Sequence, residues 1–156
     1  MSNSLMKDLL LSTLAAQQIL SVAESCHNMN RAYCKFLGDD SQPEWEDASS
    51  EVRASVVDGV KEFIKNYPNW SPEQAHESWT KHKLAHEWVY GETKDSEAKT
   101  HPYLVPYSDL SQEQRLKDTL FFTVCENEFA SRVPGRPREL SDGGENIKEL
   151  LKKVTL

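Results

Sequence analysis

The stretch SPEQAHESWTKHKLAHEWVYG, residues 71–91, carries two structural signals in close succession. Ser71 precedes Pro72 and, three positions on, Gln74. This pattern supplies an N-cap hydroxyl, a proline at the first helical position and a side chain able to bond back to the cap. It predicts a helix from Pro72 to about His86. The following WVYG, Trp88–Gly91, alternates and is built of β-forming residues, which predicts a short strand. On the predicted helix His76, Trp79 and Lys83 fall at i, i+3 and i+7 on one face. His82 and His86 are four apart on another face. That spacing can hold a metal, but the glutamate of HExxH and a third ligand are missing, so these are expected to be solvated histidines on a charged helix, with no metal.

Upstream, Leu5, Met6, Leu9 and Leu10 predict a short amphipathic N-terminal helix. Ile19, Val22, Ala23, Cys26, Met29, Tyr33 and Leu37 then mark the buried stripe of a helix from about Thr13 to Leu37. Gly38 followed by Asp39 and Asp40 is a stop signal. A second helix is expected after Ser49 or Ser50, burying Val52, Val56, Val60, Phe63 and Ile64. Gly59 within it weakens the helix by up to ~1 kcal/mol and so marks close packing. NYPNW, residues 66–70, interrupts the helical pattern.

Downstream, the polar GETKDSEAKT loop leads into HPYLVPY, residues 101–107. This segment is too proline-rich for a central strand and is expected to be an edge strand or an extended segment; as a strand it would pair with WVYG in a β-hairpin. Ser111 with Gln114 opens a fourth helix, Gln112 to about Ala130, with Leu116, Leu120, Phe121, Val124, Cys125 and Phe129 as its apolar positions. Residues 131–156 read as a linker and a C-terminal amphipathic helix carrying Ile147, Leu150, Leu151 and Val154. The expected fold is mainly α: a small domain of four to six helices with one short β-hairpin between the third and fourth core helices.

Composition narrows the function. Asp and Glu outnumber Lys and Arg by 25 to 18, for a net charge of −7, which argues against nucleic-acid binding because phosphate backbones need a basic face. Three cysteines without a CxxC pair argue for free thiols in a reducing compartment. No apolar run approaches the ~20 residues of a membrane span, and the N-terminus lacks the basic region of a signal peptide. A cytoplasmic protein with no membrane partner is expected. Phosphate loops and a nucleophile elbow are absent, and no carboxylate spacing singles out an acid–base pair. The expectation is therefore no enzyme, no catalytic residue and no cofactor.

What remains is a concentration of rings. If the two β segments pair, Trp88, Tyr90, His101, Tyr103 and Tyr107 gather beside the third helix, with Lys94 and Lys99 at the rim. Such a cluster is either core or a pocket for a flat ligand, where stacking contributes roughly 1–3 kcal/mol per base. On the first helix His27, Asn30 and Arg31 sit at i, i+3 and i+4. Asn reads an amide or purine edge and Arg suits phosphate or carboxylate, the alternative being a surface ion pair and a solvated amide.

The order of these motifs resembles the RyR domain, found as repeats in ryanodine receptors and as a stand-alone protein in bacteria and phages. The resemblance rests on HESW (His76, Trp79), EWVYG (Trp88, Tyr90, Gly91), the loop with Lys94 and Asp95, KTHPYLVPYSDL (His101 to Leu110) and KDTLF (Lys117 to Phe122). AESCHNMNRAYCKFLGDD and QPEWEDA look like the N-terminal part of the stand-alone versions. It covers about residues 15–130, so residues 1–130 are read as an RyR-like domain with an N-terminal helical extension. Two positions depart from it: Glu87 stands where the family commonly has Gly, and Tyr103 where it often has Cys.

The resemblance implies a ligand-binding module for a nucleotide or nucleotide-derived signal, not an enzyme. A phage version would sense or sequester a host signal in the host cytoplasm. It further implies that Trp79 stacks on a base, that His101 and Tyr103 line its edge, and that Asp118 faces the same pocket, with Trp88 either in the pocket or in the core. The residues themselves add Lys83, Asn30 and Arg31 as anion or edge contacts. The alternative is a protein-interaction or oligomeric module that forms homo-oligomers through its terminal helices.

Overall fold

A computed structural model describes residues 3–67 and 69–131. Four α-helices, α1 (Asn3–Phe36), α2 (Ser50–Asn66), α3 (Pro72–Ala85) and α4 (Gln112–Ser131), carry the fold. Two short strands, β1 (Val89–Tyr90) and β2 (Thr100–His101), lie between α3 and α4. Helix α1 packs on α2 and α4, and α3 packs on the same two helices. The mainly α architecture agrees with the sequence expectation. The predicted linker and C-terminal helix of residues 131–156 lie outside the described residues beyond Ser131.

Helix α1 is continuous, where the sequence predicted two helices. No Gly or Pro separates Leu10 from Thr13, and the Thr13 hydroxyl bonds back to the Leu9 carbonyl at 2.9 Å, so nothing interrupts the ladder. The helix ends as predicted. Gly38 adopts φ +91°, and the Gly38 and Asp39 amides donate to Lys35 and Cys34 carbonyls, a Schellman ending that needs the left-handed conformation glycine adopts freely. Ser49 caps α2 through the Val52 amide. Both halves of the Ser71–Gln74 capping box form on α3. On α4 Ser111 accepts from the Gln114 amide, while the Gln114 side-chain oxygen is buried without a partner.

The core is held by Ile19, Val22, Val60, Phe63, Ile64 and Phe129, each at most 3% exposed. Phe63 stacks on Phe129 and meets Phe122 edge-on. Tyr67 and Trp70, from the segment read only as a break in the pattern, also enter this core. The Cys26 and Cys125 sulfurs lie 3.7 Å apart as free thiols between α1 and α4. Gly59 does mark close packing: a Cβ there would sit 3.1 Å from the Phe121 ring.

The β element differs from the expected hairpin. β1 and β2 pair in parallel, Val89 opposite Thr100 and Tyr90 opposite His101. An antiparallel bridge does form, but inside the polar loop, between Asp95 and Thr100. Thr100 exchanges both backbone bonds with Asp95. Lys99 and His101 turn their carbonyls the other way, to the Val89 and Gly91 amides. The loop therefore reverses twice, and β1 ends up alongside β2 in the same direction. Asp95 organises the first reversal by accepting from the Glu97 and Ala98 amides.

Helix α3 feeds this element through a second Schellman ending. The Glu87 and Trp88 amides donate to the Leu84 and Lys83 carbonyls. Glu87 takes the left-handed position at φ +66°, which costs a side-chain-bearing residue roughly 1–2 kcal/mol relative to glycine. Glu87→Gly is therefore expected to stabilise the protein by about 0.5–1 kcal/mol after the added freedom of the unfolded chain is discounted. Thermal denaturation should show a rise of about 2–4 °C. Gly91→Ala should do the reverse, because its Cβ would lie 2.6 Å from the Thr100 Cβ.

Candidate functional site

Each of the four helices turns one stripe of side chains, polar and apolar, toward a common space. From α1 come Cys26, His27 and Asn30, and from α2 come Val52, Ser55, Val56 and Gly59. From α3 come His76, Trp79 and Lys83, and from α4 come Gln114, Lys117, Asp118 and Phe121. The i, i+3, i+4, i+7 spacing within these sets puts each on one helix face. They enclose a cavity of about 560 Å³, closed at its sides by residues of the 39–43 and 94–103 segments.

Trp79 contacts two imidazoles. His76 lies 5.6 Å away at a shallow angle of 29°, and His101 meets the indole nearly edge-on at 4.9 Å and 75°. The Tyr103 amide donates to His101 Nδ1 at 3.1 Å. A backbone N–H can only donate, so Nδ1 holds a lone pair, the neutral ring carries its proton on Nε2, and that N–H is a donor. Burial holds the His101 pKa down to about 3, reinforced by Lys94, Lys83 and Lys117. His76 Nε2 donates to the Val105 carbonyl at 2.7 Å, which fixes the third helix to the segment after β2. Its Nδ1 lies 3.9 Å from Asp118, beyond hydrogen-bond reach.

The charged groups are arranged with unusual separation. The Lys83 ammonium lies 4.2 Å above the Trp88 ring, and the residue as a whole is only 7% exposed. Burial lowers its pKa, with Glu51 opposing the shift. Lys117 lies 5.0 Å above the Tyr103 ring. Among the described residues neither of these, nor Lys94, forms an ion pair with a carboxylate. The carboxylates lining the cavity are otherwise occupied. Glu51 accepts from the Trp88 indole N–H at 2.7 Å, and Asp39 accepts from the Ser41 amide at 2.9 Å. Asp118 is half-buried, and desolvation raises its pKa to about 7 against the pull of Lys117.

Of the residues singled out from sequence, Trp79, His101, Tyr103, Asp118, Lys83, Trp88 and Asn30 all line this cavity. Arg31 does not: it donates to the Gln42 carbonyl and pairs with Glu44 at 3.5 Å. His27, on the same helix face, donates to the Pro43 carbonyl at 2.7 Å. The two side chains thus pin the loop after α1, one turn apart. Tyr90 is exposed, and Lys99 bonds to the His86 carbonyl. His82, expected to be solvated, is 9% exposed and bound to Asp58 at 3.1 Å, because it faces α2. No group of three His, Cys, Asp or Glu that could hold a metal occurs among the described residues. Lys117 and Gln114 escaped the sequence reading. Their signal was present, since Gln114, Lys117, Asp118 and Phe121 form one stripe, but a polar stripe on a helix reads as solvent-facing.

The opposed shifts give a pH test. Asp118 binds its proton more tightly folded than unfolded, so its contribution to stability falls as pH rises from about 4 to about 7. The shift corresponds to a few kcal/mol at most. His101 acts in the other direction, costing stability as pH falls from 6.5 toward 3. Asp118→Asn should match the parent near pH 4 and exceed it increasingly up to pH 8 in urea denaturation. Equal stabilities at pH 8 would show that the Asp118 carboxylate is well solvated.

Among the described residues no helix is long and apolar enough to cross a membrane. No solved structure matches the chain. Residues 58–123 match the family model of the RyR domain. The match runs from the middle of α2 into α4 and takes in α3, both strands and the aromatic and lysine side of the cavity, while Asn30, Asp39, Glu51 and Ser55 complete the wall from outside it. Over residues 58–123, then, this chain is similar to the RyR domain, and the helical sequence before that stretch closes the same cavity.

Proposed function

We propose that this protein is a non-enzymatic binding module for a nucleotide or nucleotide-derived signal. One observation carries the reading: the Trp79 and His101 rings meet nearly edge-on within a single cavity of about 560 Å³, and His101, with Nδ1 accepting from the Tyr103 amide, keeps an N–H donor at Nε2. A flat heteroaromatic ring stacked on Trp79 brings its acceptor-bearing edge to that donor. The volume falls in the range of small-molecule sites, which combine apolar walls with a few placed polar groups. The module is proposed to bind without turnover. His101 stays neutral and offers only a donor, and His76 and Asp118 do not hydrogen-bond to each other. The proposal extends to the setting expected of stand-alone phage versions, in which such a module senses or sequesters a host signalling nucleotide in the host cytoplasm.

A thermal-shift series with ATP, ADP, ADP-ribose, NAD and cyclic mono- and dinucleotides tests it. A ligand at 100 times its Kd adds about 2.7 kcal/mol, several degrees at this size. One class should shift the parent and fail to shift Trp79→Ala, with each variant's unliganded melting point checked first. No shift from any class, or a shift that survives Trp79→Ala, would reject the reading.

A second reading rests on the start of α1, where Met6, Leu9 and Leu10 are 49–62% exposed. Apolar side chains clustered there favour a protein contact, and the partner we propose is a second copy of the chain. Leu9→Gln combined with Leu10→Gln should then lower the mass found by light scattering. A parent protein already monomeric at high concentration would dismiss it.

A further inference from the structure

We infer that the ligand's charged end is a diphosphate or longer phosphate chain, held beside His101 by Lys83, Lys94 and Lys117. The inference rests on the nucleotide reading and adds which part of the cavity takes which part of the molecule. The three ammonium groups come from three places in the fold: α3, the loop after β1, and α4. All three line the cavity, and each lies close enough to His101 to disfavour a charge on its ring.

Two of them are positioned by aromatic faces: Lys83 by Trp88 and Lys117 by Tyr103. A ring fixes an ammonium group without cancelling its charge, so the positions are set without an ion pair at contact distance. The cavity's carboxylates act on them only from beyond ion-pair distance: Glu51 is bonded to the Trp88 indole, Asp39 to the Ser41 amide, and Asp118 lies near Lys117. In a chain of net charge −7, three cations without carboxylate partners among the described residues, converging on one neutral donor, are complementary to a multiply charged anion. A cyclic diester or a carboxylate carries too little charge to engage all three. A diphosphate carries more, over several oxygens, and His101 Nε2–H supplies a neutral donor between the amines. The opposite side of the cavity, lined by Asn30, Ser55, Val52 and Val56, carries no cation.

Calorimetry with ADP, adenosine, inorganic pyrophosphate and inorganic phosphate tests the assignment on the parent and on Lys94→Gln and Lys117→Gln. Neither substitution touches the apolar core, and Lys94 is exposed. ADP is expected to bind at least a hundredfold more tightly than adenosine. Pyrophosphate should bind alone, better than phosphate, and compete with ADP. Each lysine variant should weaken ADP about tenfold or more, as loss of a charge-assisted contact does, and leave adenosine unchanged. Equal affinities for ADP and adenosine, or lysine variants that hold ADP like the parent, would overturn the assignment and leave the nucleotide reading in place. Pyrophosphate binding as tightly as ADP would keep the assignment and remove the base from the reading. Failure of all four probes would remove both.

Discussion

The left-handed turn at Glu87 fixes the relation between the helical part of this domain and its β element. Ending α3 there returns the Trp88 amide to the Lys83 carbonyl, so the indole folds back over the last turn of the helix. A Schellman ending usually joins its flanking residues by an apolar contact. Here the contact is an ammonium group above an indole, Lys83 on Trp88. The same turn launches β1 in the direction that lets it take the Lys99 and His101 carbonyls. One backbone conformation thus orients a buried lysine, a buried tryptophan and the strand that presents His101.

The cavity follows from a division of labour among the helices. At one end of the bundle the inward positions carry large apolar side chains, and Phe63, Phe122 and Phe129 fill the space. At the other end the inward stripes carry Gly59, Ser55, Asn30, Gln114 and Asp118, too small or too polar to meet across the gap. Interiors are otherwise packed to the density of organic crystals, so an opening of about 560 Å³ is a product of side-chain choice on four helices. The two-strand element and the loop after α1 close its sides. His27 and Arg31 tie down that loop through two successive carbonyls, and His76 ties down the other through Val105. His27, Arg31 and His76 are thus three struts that shape the site.

The electrostatics invert those of the whole chain. Burial sets the direction at each group inside the cavity: it keeps His101 neutral, disfavours the charge on Lys83 and pushes Asp118 toward its protonated form. Asp39 and Glu51 line the same cavity but are held by N–H donors, and no carboxylate among the described residues reaches ion-pair distance of Lys83, Lys94 or Lys117. This pattern cannot be seen in a count of acidic and basic residues.

Local chemistry is what the sequence by itself determined. The caps at Ser49, Ser71 and Ser111, the glycine stop at Gly38 and the apolar stripes of α2 and α4 depend on neighbours within one helical turn. The order of motifs that resembles the RyR domain is likewise read directly from the sequence. The strand direction was not, because it is decided by the double reversal at Asp95 and Thr100. Nor was the side of α1 that Arg31 would serve, since the Gln42 and Pro43 carbonyls come from a loop whose path only packing sets. Above all, the tertiary structure decided that the polar stripe of α4 faces inward. Helical periodicity assigns residues to faces, but which face meets a cavity and which meets water depends on where the other three helices lie.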